Sequence, residues 1–397
     1  MDCDVLIVGL GPAGSGAAKA AAEAGAKVLA IDRKREIGTP VQCGEVIGRS
    51  LLKRSGLKLP PQAVASKQKY TRFIVDRSLD ISNHGPQWAS VTVERKMLDK
   101  ILAAEAASAG AMVQADSTLL SLDMDGDIVK SATIRFRGVE KEVRPKVVIA
   151  ADGVHSPVAK MTGVCWNTPD MVAHGGEFEM VAKRPLPRCM QIFLEEEVGF
   201  GYGWIIPKGR SRANVGLAEV GVRGHTRNRV QDWIEGNPVV SSYFDTDSII
   251  EVKTGDAPVP GFQGGPSKGN VIFTGDSAGQ TLAFVGEGII PAYMCGLVAG
   301  ESAAKDPQSY DARLRAVMGE ELSYGGELKD AILGLWSDDS LTSSQKYTAA
   351  GLVMSEAIPP ETMAALVEEG REPTPLELYR MIKKGGQKVR VKRLDTR

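Results

Sequence analysis

Cysteine is scarce in this chain and never closely spaced: Cys3, Cys43, Cys165, Cys189 and Cys295 form no C-x-x-C pair, which removes zinc-finger and iron–sulfur readings. Such scatter fits a reducing cytosol, so the expected localisation is cytoplasmic. Histidine is scarcer still, and His84, His155, His174 and His225 show no ligand spacing; they read as structural, and no metal site is expected. An excess of one charge is also missing. With 48 basic residues against 49 acidic ones there is no electrostatic case for binding nucleic acid. No apolar run approaches the roughly 20 residues that a bilayer span requires. The first strand-like segment begins at Asp4, leaving no room for a signal peptide. Small molecules or lipids are therefore the expected partners, and any membrane contact would be peripheral.

What is present begins at once. Val5–Val8 is an apolar run of the kind a strand buried on both faces requires, and Gly9-x-Gly11-x-x-Gly14 follows it. Glycines at this spacing give a tight turn, close approach of backbone to a pyrophosphate, and close helix packing. The Ala-rich stretch that starts at Pro12 and Ala13 predicts a helix to about Ala24, with its amide-rich end aimed at phosphates. Val28–Ile31 predicts a second strand, closed by Asp32 and Arg33, and Asp32 lies where a carboxylate accepts from a ribose hydroxyl. The pattern is that of an adenine dinucleotide site; by itself it does not separate NAD from FAD.

A chain of 397 residues exceeds what one core usually supports. After the first βαβ unit comes an irregular, polar stretch to about Trp88, too long for a simple connection. Val91–Leu102 predicts a short strand running into a helix that Gly110 caps, and residues 111–145 alternate like short antiparallel strands. Val147–Ala151 and Asn270–Thr274 predict two further fully buried strands, with longer alternating strands from about Val172 to Thr254 between them. From Tyr310 the pattern is helical, broken at Pro359-Pro360, Pro373 and Pro375, and it ends in a tail rich in Lys and Arg. That tail reads as a solvated, partly disordered end, or as a patch attracted to anionic lipid head groups.

The buried strands end in Gly9, in Asp152-Gly153 and in Gly275-Asp276. Ligands of open α/β sheets sit outside such carboxyl ends, so three polar ends converge on one crevice. At this point the sequence resembles the glutathione-reductase-type FAD proteins, in the branch shared by aromatic hydroxylases and geranylgeranyl reductases. The fold the resemblance implies is α/β: a Rossmann-like FAD-binding domain, an inserted antiparallel β-sheet substrate domain, and a helical C-terminal region. The expected boundaries are 1–60, 90–165 and 266–310 for the FAD domain, 61–89 and 166–265 for the substrate domain, and 311–397 for the helical region with its tail. The resemblance also implies flavin contacts for Arg95 and for the loop around Gly286, Gly288 and Ile289, where a helix start can stabilise reduced flavin. For Arg95 and Asp152 the plainer alternatives are a solvated helix start and an ordinary turn.

Two motifs decide the branch. Pro40-Val41-Gln42-Cys43-Gly44-Glu45 resembles the PxxCGE segment of archaeal geranylgeranyl reductases, and Tyr202-Gly203-Trp204-Ile205-Ile206-Pro207 resembles their YxWxFP segment. The resemblance implies that Cys43 and Gly44 lie at the flavin, that Cys43 and Glu45 are the candidates for catalysis, and that Tyr202, Trp204 and Pro207 line the substrate. Aromatics two apart on a strand share a face and make a wide apolar wall for a polyprenyl chain. The other reading of the pair is ordinary core, and the other reading of Cys43 is an inert thiol. Ile206 departs from the usual Phe, and Gln280–Val285 departs from the usual Pro-rich lead, changes that bear on chain length and head group. The activity implied is FAD-dependent saturation of geranylgeranyl double bonds in archaeal-type lipid precursors. The alternative is an FAD-dependent aromatic hydroxylase. A quinone-linked electron-transfer partner would need an iron–sulfur centre that these cysteines do not supply. No second G-x-G-x-x-G follows a later strand, so electrons are expected from an external donor: nicotinamide, ferredoxin or a deazaflavin.

Overall fold

A computed structural model describes residues 1–221, 226–357 and 389–393. His225, the proline breaks at 359–375 and most of the basic tail lie outside them. The chain divides into two compact units, each assembled from three stretches: 1–41, 94–172 and 257–326 in one, 42–93, 173–256 and 327–397 in the other. The expected 1–60 segment is thus split after Val41, and Cys43, Gly44 and Glu45 belong to the second unit.

Among the described residues, the first unit builds an eight-stranded sheet whose spine runs Val271–Phe273, Val139–Ala150, Asp2–Val8, Val28–Ile31 and Met112–Gln114, all parallel. Leu6, Leu29, Val148 and Phe273 pack together in its core. Met112–Gln114, read from sequence as antiparallel, instead extends the parallel order beside Val28–Ile31. Val139–Ala150 is a single strand where two were expected. Residues 139–142 are exposed on both faces and 143–146 alternate between buried and exposed; from Val147 it is covered on both faces and runs continuously apolar. The Pro12–Glu23 helix crosses the Ile289–Lys305 helix at very short range. A Cβ on Gly296 would overlap the Ala13 carbonyl, and one on Gly300 would overlap that of Ala17.

In the second unit, an eight-stranded sheet runs Ile249–Pro258, Val172–Val181, Arg212–Val220, Gly201–Pro207, Met190–Leu194, Thr71–Val75, Leu79–Asn83 and Val389–Arg393. From Val172–Val181 to Val389–Arg393 neighbouring strands are antiparallel, except where Met190–Leu194 runs parallel to Thr71–Val75. Phe178, Phe193, Ile205, Val215 and Trp233 form the core on one face. Val389–Arg393 pairs in register with Leu79–Asn83, so this part of the basic tail is an edge strand, with Arg390 and Lys392 exposed. No helix among the described residues is long and apolar enough to cross a membrane.

Candidate functional site

The predicted cofactor residues other than Cys43 and Gly44 lie in the first unit, several of them at the carboxyl ends of its parallel strands. Gly9 takes φ +99°, a left-handed conformation that favours glycine, and turns the chain from strand into helix. A Cβ on Gly14 would overlap the Gly9 carbonyl, so this turn requires both glycines, whereas one on Gly11 would meet nothing within 4 Å. Backbone there lies open to a ligand. Asp32 accepts from Leu10 N and from Lys34 N, each at 2.9 Å, tying the glycine turn to the end of the second strand. Arg33 beside it is exposed. Arg95 opens the Arg95–Ser108 helix and grips Asp99 through two bonds of 2.8 and 2.9 Å. Its charge favours the ionised form of Asp276, yet desolvation dominates and pushes that carboxyl up. Asp152 is pushed up by burial too, although its Oδ2 accepts from Val158 N at 2.9 Å. Leu282 and Glu287 pair across a tight turn at Gly286, and Gly288 then caps the Ile289–Lys305 helix without a side-chain bond.

These residues fit FAD. Asp152 Oδ1 is buried without a hydrogen-bond partner, a cost that a ligand hydroxyl would relieve. The helix starts at Gly11 and Gly288 have no side-chain cap, as suits anion binding.

The second unit holds the other predicted residues, and they meet. Cys43 Sγ accepts from Glu45 N at 3.3 Å. Glu45, with φ +65° and almost no exposure, sends its carboxylate into the sheet, where Oε2 accepts from Lys208 Nζ at 2.8 Å, Lys253 Nζ at 2.9 Å and Asn214 Nδ2 at 3.0 Å. Asn214 Nδ2 also donates to the Gly44 carbonyl at 3.0 Å. Burial opposes ionisation of Glu45, but the Lys253 and Lys208 ammoniums outweigh it and hold the carboxyl down to about 2. Three hydrogen bonds to one carboxylate oxygen thus fasten Glu45, and with it the Cys43 loop, to the sheet. Tyr202 and Trp204 are half-buried with ring centres 5.8 Å apart, and the Pro207 carbonyl accepts from Gln68 Nε2 at 3.0 Å.

Sequence reasoning missed Glu177, Glu179, Lys208, Asn214 and Lys253. Trp204 Nε1 donates to Glu177 Oε2 at 2.9 Å, so the aromatic wall is hydrogen-bonded from beneath. Burial pushes Glu177 up to about 7 against the opposing pull of Lys253 and Trp204. Glu179 is held low despite burial, by Lys208 and Arg212. A signal was available: Glu177 and Glu179 alternate with apolar residues on a strand and therefore share one face.

A family model described as an FAD binding domain matches residues 2–249, and with the glycine turn and the three strand ends it defines a flavoprotein oxidoreductase. Digeranylgeranylglycerophospholipid reductase of Methanosarcina acetivorans is 33% identical over 365 residues, covering 86% of this chain and 88% of its own. The protein of that name from Methanocaldococcus jannaschii is 37% identical over 308 residues, 76% of this chain and 77% of its own. The chain belongs to the digeranylgeranylglycerophospholipid reductase family. Its fold is shared by a geranylgeranyl bacteriochlorophyll reductase-like protein from Thermoplasma acidophilum, with a TM-score of 0.80 at 24% identity over 96% of this chain and 99% of that one.

Proposed function

We propose that this chain saturates double bonds in the geranylgeranyl chains of an archaeal-type glycerophospholipid, with FAD held by the first unit and the isoprenoid lying against Tyr202, Trp204 and Pro207 of the second. One observation carries the reading. The two segments that resemble the reductase motifs, Pro40–Glu45 and Tyr202–Pro207, lie far apart in sequence, yet Gly44 and Glu45 of the first and Trp204 of the second are fastened to one buried polar cluster in the second unit. When bound and reduced, FAD supplies the hydride for one alkene carbon. An isolated alkene has no carbonyl to polarise, so the chain's own contribution is position and exclusion of water. Tyr202 and Trp204 give the apolar wall, Glu45 fastens the Cys43 loop, and Cys43 remains the candidate for the protonation step. Electrons come from an external donor, to be sought among nicotinamide, ferredoxin and deazaflavin. Arg390 and Lys392, exposed on the edge strand, suit peripheral contact with anionic head groups, worth about 1 kcal/mol per cation at a membrane surface.

The test is to incubate the reduced protein with geranylgeranyl lipids of several head groups and follow mass. A gain of two hydrogens per double bond supports the reading; no gain with any head group overturns it, and oxygen uptake stimulated by a phenol would establish the hydroxylase alternative.

A further inference from the structure

Glu177 joins the Trp204 indole to the buried cluster and stands beside the Cys43 loop. Its Oε2 takes the Trp204 indole N–H and lies within van der Waals reach of the position a Gly44 Cβ would occupy. Geometry across the sheet makes this contact direct. Glu177 and Trp204 both stand opposite Gly216, on the strand between theirs, and a side chain there would strike Glu177. With glycine, the carboxylate reaches over the intervening strand to the indole. Glu177 Oε1 lies 3.2 Å from Lys253 Nζ, close enough for ion pairing but without hydrogen-bond geometry.

Lys253 faces Glu177 from the Ile249–Pro258 strand; Lys208 follows the Trp204 strand, Glu179 is on Glu177's own strand, Glu45 comes from the loop, and Asn214 and the half-exposed Arg212 come from the strand between. Lys208 pairs with Glu45 and Glu179, Lys253 with Glu45 and Glu177, and Arg212 with Glu179 from the more exposed side. Glu45 and Glu179 have the stronger partners, which leaves Glu177 as the carboxylate able to accept a proton near neutrality.

We propose that Glu177 is a positioning residue for the reductase reaction: its ionised carboxylate holds the Trp204 wall, and its protonation loosens that hold. The inference rests on the reading of Trp204 as lipid-facing. An ionised acceptor makes the stronger bond to an indole N–H, and a neutral carboxyl makes a weaker one. Protonation should therefore raise KM for the lipid with little effect on kcat.

The experiment uses the full FAD-bound chain labelled with fluorotryptophan, in which the Trp204 resonance is the one absent from Trp204→Phe. The expected result is a Trp204 resonance that titrates across neutrality, a KM for a geranylgeranyl lipid that rises as pH falls through the same range, and loss of both titrations in Glu177→Gln, whose KM stays at the acid value. A titration retained in Glu177→Gln overturns the proposal. Should that variant not fold, the unmodified protein still decides: a Trp204 resonance that does not move across neutrality overturns it as well. A resonance that titrates through Glu177 in a protein that reduces no lipid would sink the substrate reading and leave Glu177's control of Trp204 standing.

Discussion

Glu45 shows how far a residue's role depends on partners that are distant in sequence. In the PxxCGE-like segment it reads as a candidate acid beside Cys43, but its carboxylate is bound by Lys208, Asn214 and Lys253, which are 163, 169 and 208 positions away. Nothing local marks those positions, so the anchor was invisible until the sheet was assembled. Glu45→Gln removes the carboxylate that Lys208 and Lys253 share, leaving Lys208 to Glu179 and Lys253 to Glu177, and breaking buried pairs in this way costs about 3–5 kcal/mol. Urea unfolding should report a loss of that size. Gly14, in contrast, was legible, because its spacing from Gly9 and Gly11 belongs to a local turn. In Gly14→Ala the new methyl group meets the Gly9 carbonyl and forces the turn apart. Visible flavin absorbance of the purified variant should be nearly lost while its far-ultraviolet circular dichroism stays close to that of the parent.

At the scale of elements, the parallel strands and their helices were largely readable, since burial on both faces writes a continuous apolar run into the sequence. Val139–Ala150 was divided in two because its pattern changes where its covering changes, not where the strand ends. The crossing of Pro12–Glu23 over Ile289–Lys305 could not be read from either helix alone. Gly296 and Gly300 look like helix-weakening residues until Ala13 and Ala17 are placed against them. Gly300→Val should push the helices apart at a cost of about 1–3 kcal/mol, or more if the backbone cannot shift. Thermal melting should show the lower Tm. A surface control on the same helix, Lys305→Ala, should leave it nearly unchanged, because the Lys305–Glu301 pair is exposed.

For the whole molecule, Glu45 and Glu177 pull the pH dependence of stability in opposite directions. Glu45, held down to about 2 from an ordinary 4.5, contributes stability that is present above pH 4.5 and is lost as pH falls toward 2. Glu177 is raised from 4.5 to about 7, so the folded state holds its proton where the unfolded chain has released it. Its contribution is fully present below pH 4.5 and declines as pH rises to 7, by up to about 3 kcal/mol. Urea unfolding at pH 5 and pH 8 should therefore show the parent losing ground to Glu177→Gln at the higher pH. Equal differences at both pH values would contradict this assignment.

The sequence alone determined the dinucleotide turn, the three polar strand ends and the two reductase-like segments, because each is a short run whose chemistry depends on neighbours within a few residues. Only the tertiary structure decided which partners hold Glu45, which carboxyl burial pushes up, and what the Trp204 indole is bonded to. Those properties belong to a buried cluster gathered from five segments of chain, and in such a cluster desolvation and counter-charges set each group's behaviour more strongly than its own identity does.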